Sequence, residues 1–299
     1  IKNKMINLVN LIKKGLLSKS LIIRRINKNE LNSIKYIKSH IDILRELGMI
    51  DVGSLVVDVD PKKLRTFEAC AFTPVRDNCP WVDSASLILN NEIEEYEDSP
   101  MFDFFNNWSP RNAYEYFGLK NKPKNKDLLK DPIDVPLPWE ILSQKGWSRM
   151  HRKSLKIENS NYKLFSGKMS GWACSGSISN ANAKSHFERL KKIVFSIRDK
   201  EYIRSNKSDG DIQVKLLFKD KLTEPIFQVF AGGHRVSAYG AFRPNTMPVR
   251  ISRSKIHMVK RWESKEWFNV KNNLFTEEEA LIVFDRIYKG VPCKGYKIF

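Results

Sequence analysis

Cysteine is scarce and scattered. The chain holds four in 299 residues, Cys70, Cys79, Cys174 and Cys293, and no two are spaced Cys-x-x-Cys. That pattern builds neither a disulfide framework nor a zinc cluster, so a reducing cytoplasm is the expected setting. Long apolar runs are missing too. No stretch approaches the roughly 18 uninterrupted apolar residues that cross a bilayer, which excludes an ordinary transmembrane helix. The Met5–Ile23 stretch is apolar but is broken by Lys13, Lys14 and Lys19, and no small-residue cleavage site follows. It reads as an amphipathic helix rather than a secretory leader. The phosphate loop of P-loop enzymes is also absent: Gly167-Lys168 is followed by Met169, where that loop needs Ser or Thr.

Acidic residues are outnumbered 34 to 52 by Lys and Arg, a formal charge of +18. Clustered cations favour polyanions through counterion release, so nucleic acid enters as a partner class. The charge is uneven, however. Residues 1–65 carry 14 basic and 6 acidic groups, residues 66–120 carry 3 and 10, and residues 121–299 carry 35 and 18. The charge permits a polyanion without identifying one.

The composition of a globular protein, 41% hydrophobic and 29% charged, leaves room for one large or two modest domains. Asn29-Glu30-Leu31 opens a helical pattern that runs to Leu47 and stops at Gly48, and Ser54–Val59 reads as a short strand. The acidic run Glu92, Glu94, Glu95, Glu97, Asp98 leads into Met101–Trp108, a turn followed by a packed helix. Lys120–Lys130 has linker composition, and Pro132, Pro136 and Pro138 keep the next segment extended. The expected division is therefore a mixed helical and strand region over 1–130 and a second unit over 131–299. From Ser166 a run rich in Ser and Gly reads as a loop. Asn182–Arg198 is an amphipathic helix, with Phe187, Leu190, Ile193, Val194 and Ile197 on one side. Ser205–Asp211 is a polar turn, Ile212–Phe218 a strand, and Lys219–Glu224 the turn back. Near the end, Thr276 and Glu279 form a capping box for a helix with Leu281, Ile282, Phe284, Ile287 and Tyr288 as its apolar positions. Trp262 and Trp267 just upstream are read as packing groups. The fold class is α+β.

The most informative segment is 226–251. It reads as a strand (Ile226–Phe230), a glycine hinge (Gly232, Gly233), a helix opening at His234-Arg235, and a second strand (Met247–Ile251). This order suits an anion: glycines let backbone N–H groups approach a phosphate, a helix start carries unpaired donors, and Arg235 adds a forked contact. An ordinary strand-to-helix turn with a surface arginine has the same pattern.

Residues 187–198, the polar turn, strand 212–218, Phe-Ala-Gly-Gly-His-Arg-Val-Ser-Ala-Tyr and Met-Pro-Val-Arg-Ile together resemble the ParB/sulfiredoxin-like superfamily. The likeness covers roughly residues 185–255. The resemblance implies a Gly-x-x-Arg turn that holds nucleotide phosphates. Sulfiredoxins carry a reactive cysteine directly before the His-Arg pair, where this chain has Gly233, so sulfinic-acid reduction is not expected. Partition proteins add a helix-turn-helix domain and a dimerisation tail, and only 48 residues follow Ile251. The free-serine-kinase type, with an Asp-Gly-His-His-Arg turn, is nearest in motif to Ala231–Arg235.

The resemblance therefore implies a nucleotide-dependent phosphotransferase using ATP or ADP on a small hydroxyl-bearing substrate. Gly232, Gly233, His234, Arg235 and Ser237 would cradle the phosphates, and Mg²⁺ would bridge them. Asp209, Asp211 and Glu188, which precede the turn, are the candidates to accept the hydroxyl proton. A ParB-like nucleic-acid-binding protein or nuclease is the alternative, and a non-catalytic nucleotide-binding module the third reading.

Overall fold

The computed structural model describes residues 56–120, 122–161, 171–175, 178–203, 211–251 and 258–292. The expected helices at 5–23 and 29–47 and half of the loop from Ser166 lie outside these residues. Six described strands form one mixed sheet: β1 (Val56–Val59), β2 (Leu64–Arg65), β3 (Ile212–Phe218), β4 (Ile226–Ala231), β5 (Met247–Ile251) and β6 (Met258–Lys260). The order is β1-β5-β3-β4-β2, and β6 runs beside β3 past the end of β5. β1–β5 and β3–β4 are antiparallel, whereas β3–β5, β3–β6 and β2–β4 are parallel. The architecture is α+β with a mixed sheet.

Strand alternation gives the sheet two unlike faces. Val57, Val59, Ile212, Val214, Leu216, Phe227, Val229, Met247, Val249 and Ile251 belong to one apolar cluster, with Val236 packed on it. The intervening positions Asp58, Lys215, Gln228 and Arg250 are buried as well, so the second face carries enclosed polar groups beside apolar Val56 and Leu217. A buried charge needs a counter-charge. Arg250 finds one in Asp211, whose carboxylate accepts from Arg250 Nε at 2.6 Å, and Lys215 finds one in Glu140.

Helices build the larger apolar core. α1 (Pro80–Leu89) starts with proline at its first position, where the missing N–H costs nothing. α2 (Pro100–Asn107) is capped by Ser99, whose hydroxyl accepts from the Phe102 N–H. A single turn, α3 (Ala113–Tyr116), precedes α4 (Gln144–Asn161), α5 (Asn180–Lys200) and α6 (Gly233–Ala241). A turn α7 (Phe268–Lys271) leads into α8 (Glu277–Lys289), which begins with the Thr276–Glu279 capping box expected from sequence. Trp267 is buried and meets Trp139 and Phe284 at 5.3 and 5.6 Å between ring centres, while Trp262 is exposed.

The expected division near residue 130 does not separate two bodies. β1 and β2, from residues 56–65, pair with β5 and β4 of the later half. Arg65 donates to the carbonyls of Ile287 and Tyr288 at the end of α8, and Arg286 donates to those of Ala69, Tyr116 and Phe117. One apolar core runs from Phe67 to Ile287. The shift in composition near 130 is real, but strand pairing is non-local and crosses it.

α6 packs tightly on the 73–82 segment. A Cβ on Gly240 would lie 2.7 Å from the Pro74 carbonyl oxygen and 3.3 Å from Val82 Cγ2. Backbone cannot yield there as a flexible side chain would. Gly240→Ala is expected to cost about 1–3 kcal/mol, measured as a lower urea midpoint with unchanged slope. An unchanged midpoint would refute this packing.

Candidate functional site

β4 ends at Ala231, and the chain turns into α6 through Gly232, which sits at φ +90°. A Cβ at that position would be strained and would lie 3.0 Å from Ile212 Cα. A Cβ on Gly233 would lie 3.2 Å from the Phe67 ring, so the two glycines let the turn settle against β3 and the 67–68 segment. No side chain caps α6 and its first turn holds no acid. The first-turn N–H groups of a helix have no partner within it, and they carry its positive end.

His234 and Arg235 stand in this first turn, and α5 brings two more groups beside them. The ring of His186 stacks on that of His234, planes 10° apart, with Nδ1 of His186 3.0 Å from Nε2 of His234. Burial, and then the charge of Arg189, push His186 down to about 4. His234 is held well below the usual range by burial, by His186, and by Arg189 and Arg235. The start of α6 is thus a cluster of Arg189, Arg235 and two neutral imidazoles. Such a cluster suits an anion.

The expected site residues separate. Gly232, Gly233, His234 and Arg235 lie together at the start of α6. Ser237 does not join them: its fully buried hydroxyl donates to the Gly233 carbonyl at 2.9 Å inside the helix. Asp211 is 2% exposed and tied to Arg250, which makes it a structural counter-ion rather than an acceptor of a substrate proton. Glu188 lies on α5 two residues from His186, and that step turns about 200° around a helix, away from the histidine face. Arg189, three residues on, shares that face. Asp209 lies outside the described residues.

A carboxyl that the sequence reading did not single out follows Phe67, whose ring lies against Gly233. Phe67, Glu68 and Ala71 all adopt left-handed backbone, at φ 56°, 49° and 57°. Three such non-glycine residues in five mark a strained turn, and strain of this kind gathers at functional sites. The Phe67 ring lies against Gly233, and Glu68 is the next residue in the chain. Burial, reinforced by Glu140 and opposed by Lys215, pushes the Glu68 carboxyl up to about 8. Lys215 is paired with Glu140 and has the Phe230 ring 5.5 Å from its ammonium. Tyr116, raised well above its usual range mainly by burial and next by Glu68, and His151, pushed down to about 4 by burial and then Lys215, complete the polar group. One signal was available in sequence: Glu68 is the single charge in Thr66–Phe72.

Among the described residues no three of His, Cys, Asp and Glu converge as a metal cluster, and no helix is long and apolar enough to cross a membrane. Glu140 is taken up by Lys215, and the Glu68 carboxyl, pushed up to about 8, holds its proton at neutral pH, so these two groups do not fit Mg²⁺ as ligands.

The depressed histidines fix a sign for the pH dependence of folding. His151, His186 and His234 take a proton near 6.5 when unfolded and resist it when folded. Their contribution is therefore present above about 6.5 and lost as pH falls towards about 4, outweighing Glu68, the group of opposite sign in this window among the described residues. The urea midpoint should fall steadily from pH 6.5 to 4; a level or rising midpoint would contradict the buried, neutral imidazoles. Searches of protein-family models, of curated proteins and of solved structures find no match to this chain.

Proposed function

We propose that the chain binds a nucleotide by its phosphates at the start of α6 and transfers a terminal phosphoryl group to the hydroxyl of a small substrate. The observation that carries this reading is the uncapped, acid-free start of α6, set on left-handed Gly232 and flanked by His234, Arg235, His186 and Arg189. The order of helix, strand, glycine turn and Pro248-Val249 strand supports it through the resemblance to the ParB/sulfiredoxin-like superfamily, in which that turn holds phosphate.

Phosphoryl transfer asks a protein mainly for positioning and neutralisation of charge. Backbone N–H groups of the first turn and the guanidinium of Arg235 hold the phosphate oxygens. We assign acceptance of the hydroxyl proton to Glu68, the residue after Phe67, whose ring lies against Gly233, and its raised pKa suits a base working near neutral pH. The substrate oxygen forms the new bond to phosphorus, the bond to the leaving phosphate breaks, and the leaving nucleotide keeps that electron pair. Mg²⁺ carried in by the nucleotide would neutralise phosphate charge, held by phosphate oxygens and water.

The test is a product search by ³¹P NMR. ATP, ADP and CTP are each incubated with Mg²⁺, the full chain and a panel of small hydroxyl compounds. The reading predicts a new phosphomonoester with at least one donor, and its loss in Arg235→Ala. No turnover of any donor would remove the transferase reading.

A further inference from the structure

His186 and His234 come from segments 48 residues apart, yet their nitrogens stand 3.0 Å from each other. At that distance one nitrogen carries a hydrogen and the other offers a lone pair, since two N–H groups or two lone pairs would repel. Two arrangements satisfy this. If His234 donates from Nε2, its Nδ1 is a bare lone pair, which repels an anion at the start of α6. If His186 donates from Nδ1, the hydrogen of His234 sits on Nδ1, the ring nitrogen nearer the backbone of the first turn. Only the second arrangement offers an anion a donor.

Arg189 from α5 and Arg235 from α6 are the charged groups that act on the pair, and among the described residues no carboxylate does. Burial and these two arginines keep both rings neutral while no anion is present. A phosphate at the start of α6 reverses the local field, and a positive imidazole then becomes favourable.

We propose that His186 and His234 act as one proton-taking unit at the anion site, in which His186 donates to His234, His234 donates to phosphate, and one solvent proton joins Nε2 of His186 as the phosphate arrives. The inference rests on the nucleotide site proposed above. No covalent bond other than N–H changes: the neutral pair gains one proton and one positive charge on binding, and returns the proton to solvent on release. His186 is a positioning residue, and the consequence is anion binding that strengthens as pH falls.

The experiment is calorimetric titration of ADP into the full chain at pH 6 and pH 8, in buffers of different ionisation enthalpy, for the wild type and His186→Asn. Asparagine keeps a donor near the place of Nδ1 and cannot titrate. The nucleotide's own protonation is common to both proteins and cancels in their difference. The wild type should take up a substantial fraction of one extra proton at pH 6. It should bind ADP up to about tenfold more tightly relative to the variant for each pH unit of that window, with the gap closing at pH 8. Equal proton uptake by both proteins, with ADP bound, overturns the inference and leaves the nucleotide site standing. No ADP binding by the wild type overturns both. If His186→Asn does not fold, imidazole ¹⁵N shifts of the wild type decide: ADP should move His186 alone to the doubly protonated pattern at pH 6, and unchanged shifts in the ADP complex overturn the proposal.

Discussion

Replacing Asp211 by alanine is expected to destabilise the chain by about 3–5 kcal/mol, because it strands the Arg250 guanidinium inside the sheet. Arg250 is 4% exposed and lies on β5 between β1 and β3, opposite Val56 and Gln213, where water cannot take over from the carboxylate. The loss belongs to the uncompensated charge rather than to the pair. The double variant Asp211→Leu/Arg250→Met should therefore recover most of it, since a buried ion pair often contributes little net stability over well-packed apolar groups. Urea unfolding of the single and double variants checks both statements. A single variant with wild-type stability and no activity would return Asp211 to the catalytic role expected of it from its place before the glycine turn.

Glu68→Gln is expected to lower turnover by about 10²- to 10⁴-fold, the usual contribution of a positioned general base. The wild-type kcat/KM should rise with pH and level off above about 8, where the carboxyl ionises, and the variant should lack that limb. The same change should raise the melting temperature at pH 8. A carboxyl whose folded pKa is raised lends stability in its protonated form, fully present below about 4.5 and lost as pH rises through about 8. Glutamine carries no such charge. Gain of stability with loss of turnover distinguishes a functional carboxylate from a structural one. A variant that melts lower at pH 8, or that keeps its turnover, would contradict the assignment.

Much of the later half of the chain could be read from sequence because its signals are local. Ile212–Phe218 and Met247–Ile251 are strands with the expected bounds, and Thr276 and Glu279 close the capping box. The glycine hinge was legible because only glycine fits φ +90° against Ile212. α4 was not: Gln144–Asn161 is strongly polar on average and has Gly146 in its first turn, so its pattern resembles a loop. The partners of the hinge were not legible either, because Phe67 and His186 reach it only through tertiary packing. Asp211 shows how a local reading misleads. A polar turn rich in Ser, Asn and Asp suggests a solvated acid, yet the lone arginine in Met-Pro-Val-Arg-Ile already required a buried counter-charge.

The central claim is that the Gly232–Arg235 turn holds nucleotide phosphate, and the most direct test is calorimetric titration of ADP with the wild type and Arg235→Ala under conditions where both are folded. A charge-assisted phosphate contact of about 1.5–3 kcal/mol corresponds to roughly 10- to 150-fold in affinity. The account predicts binding by the wild type and weakening of that order in the variant. Equal affinity in the two proteins, or no binding by the wild type, would contradict it.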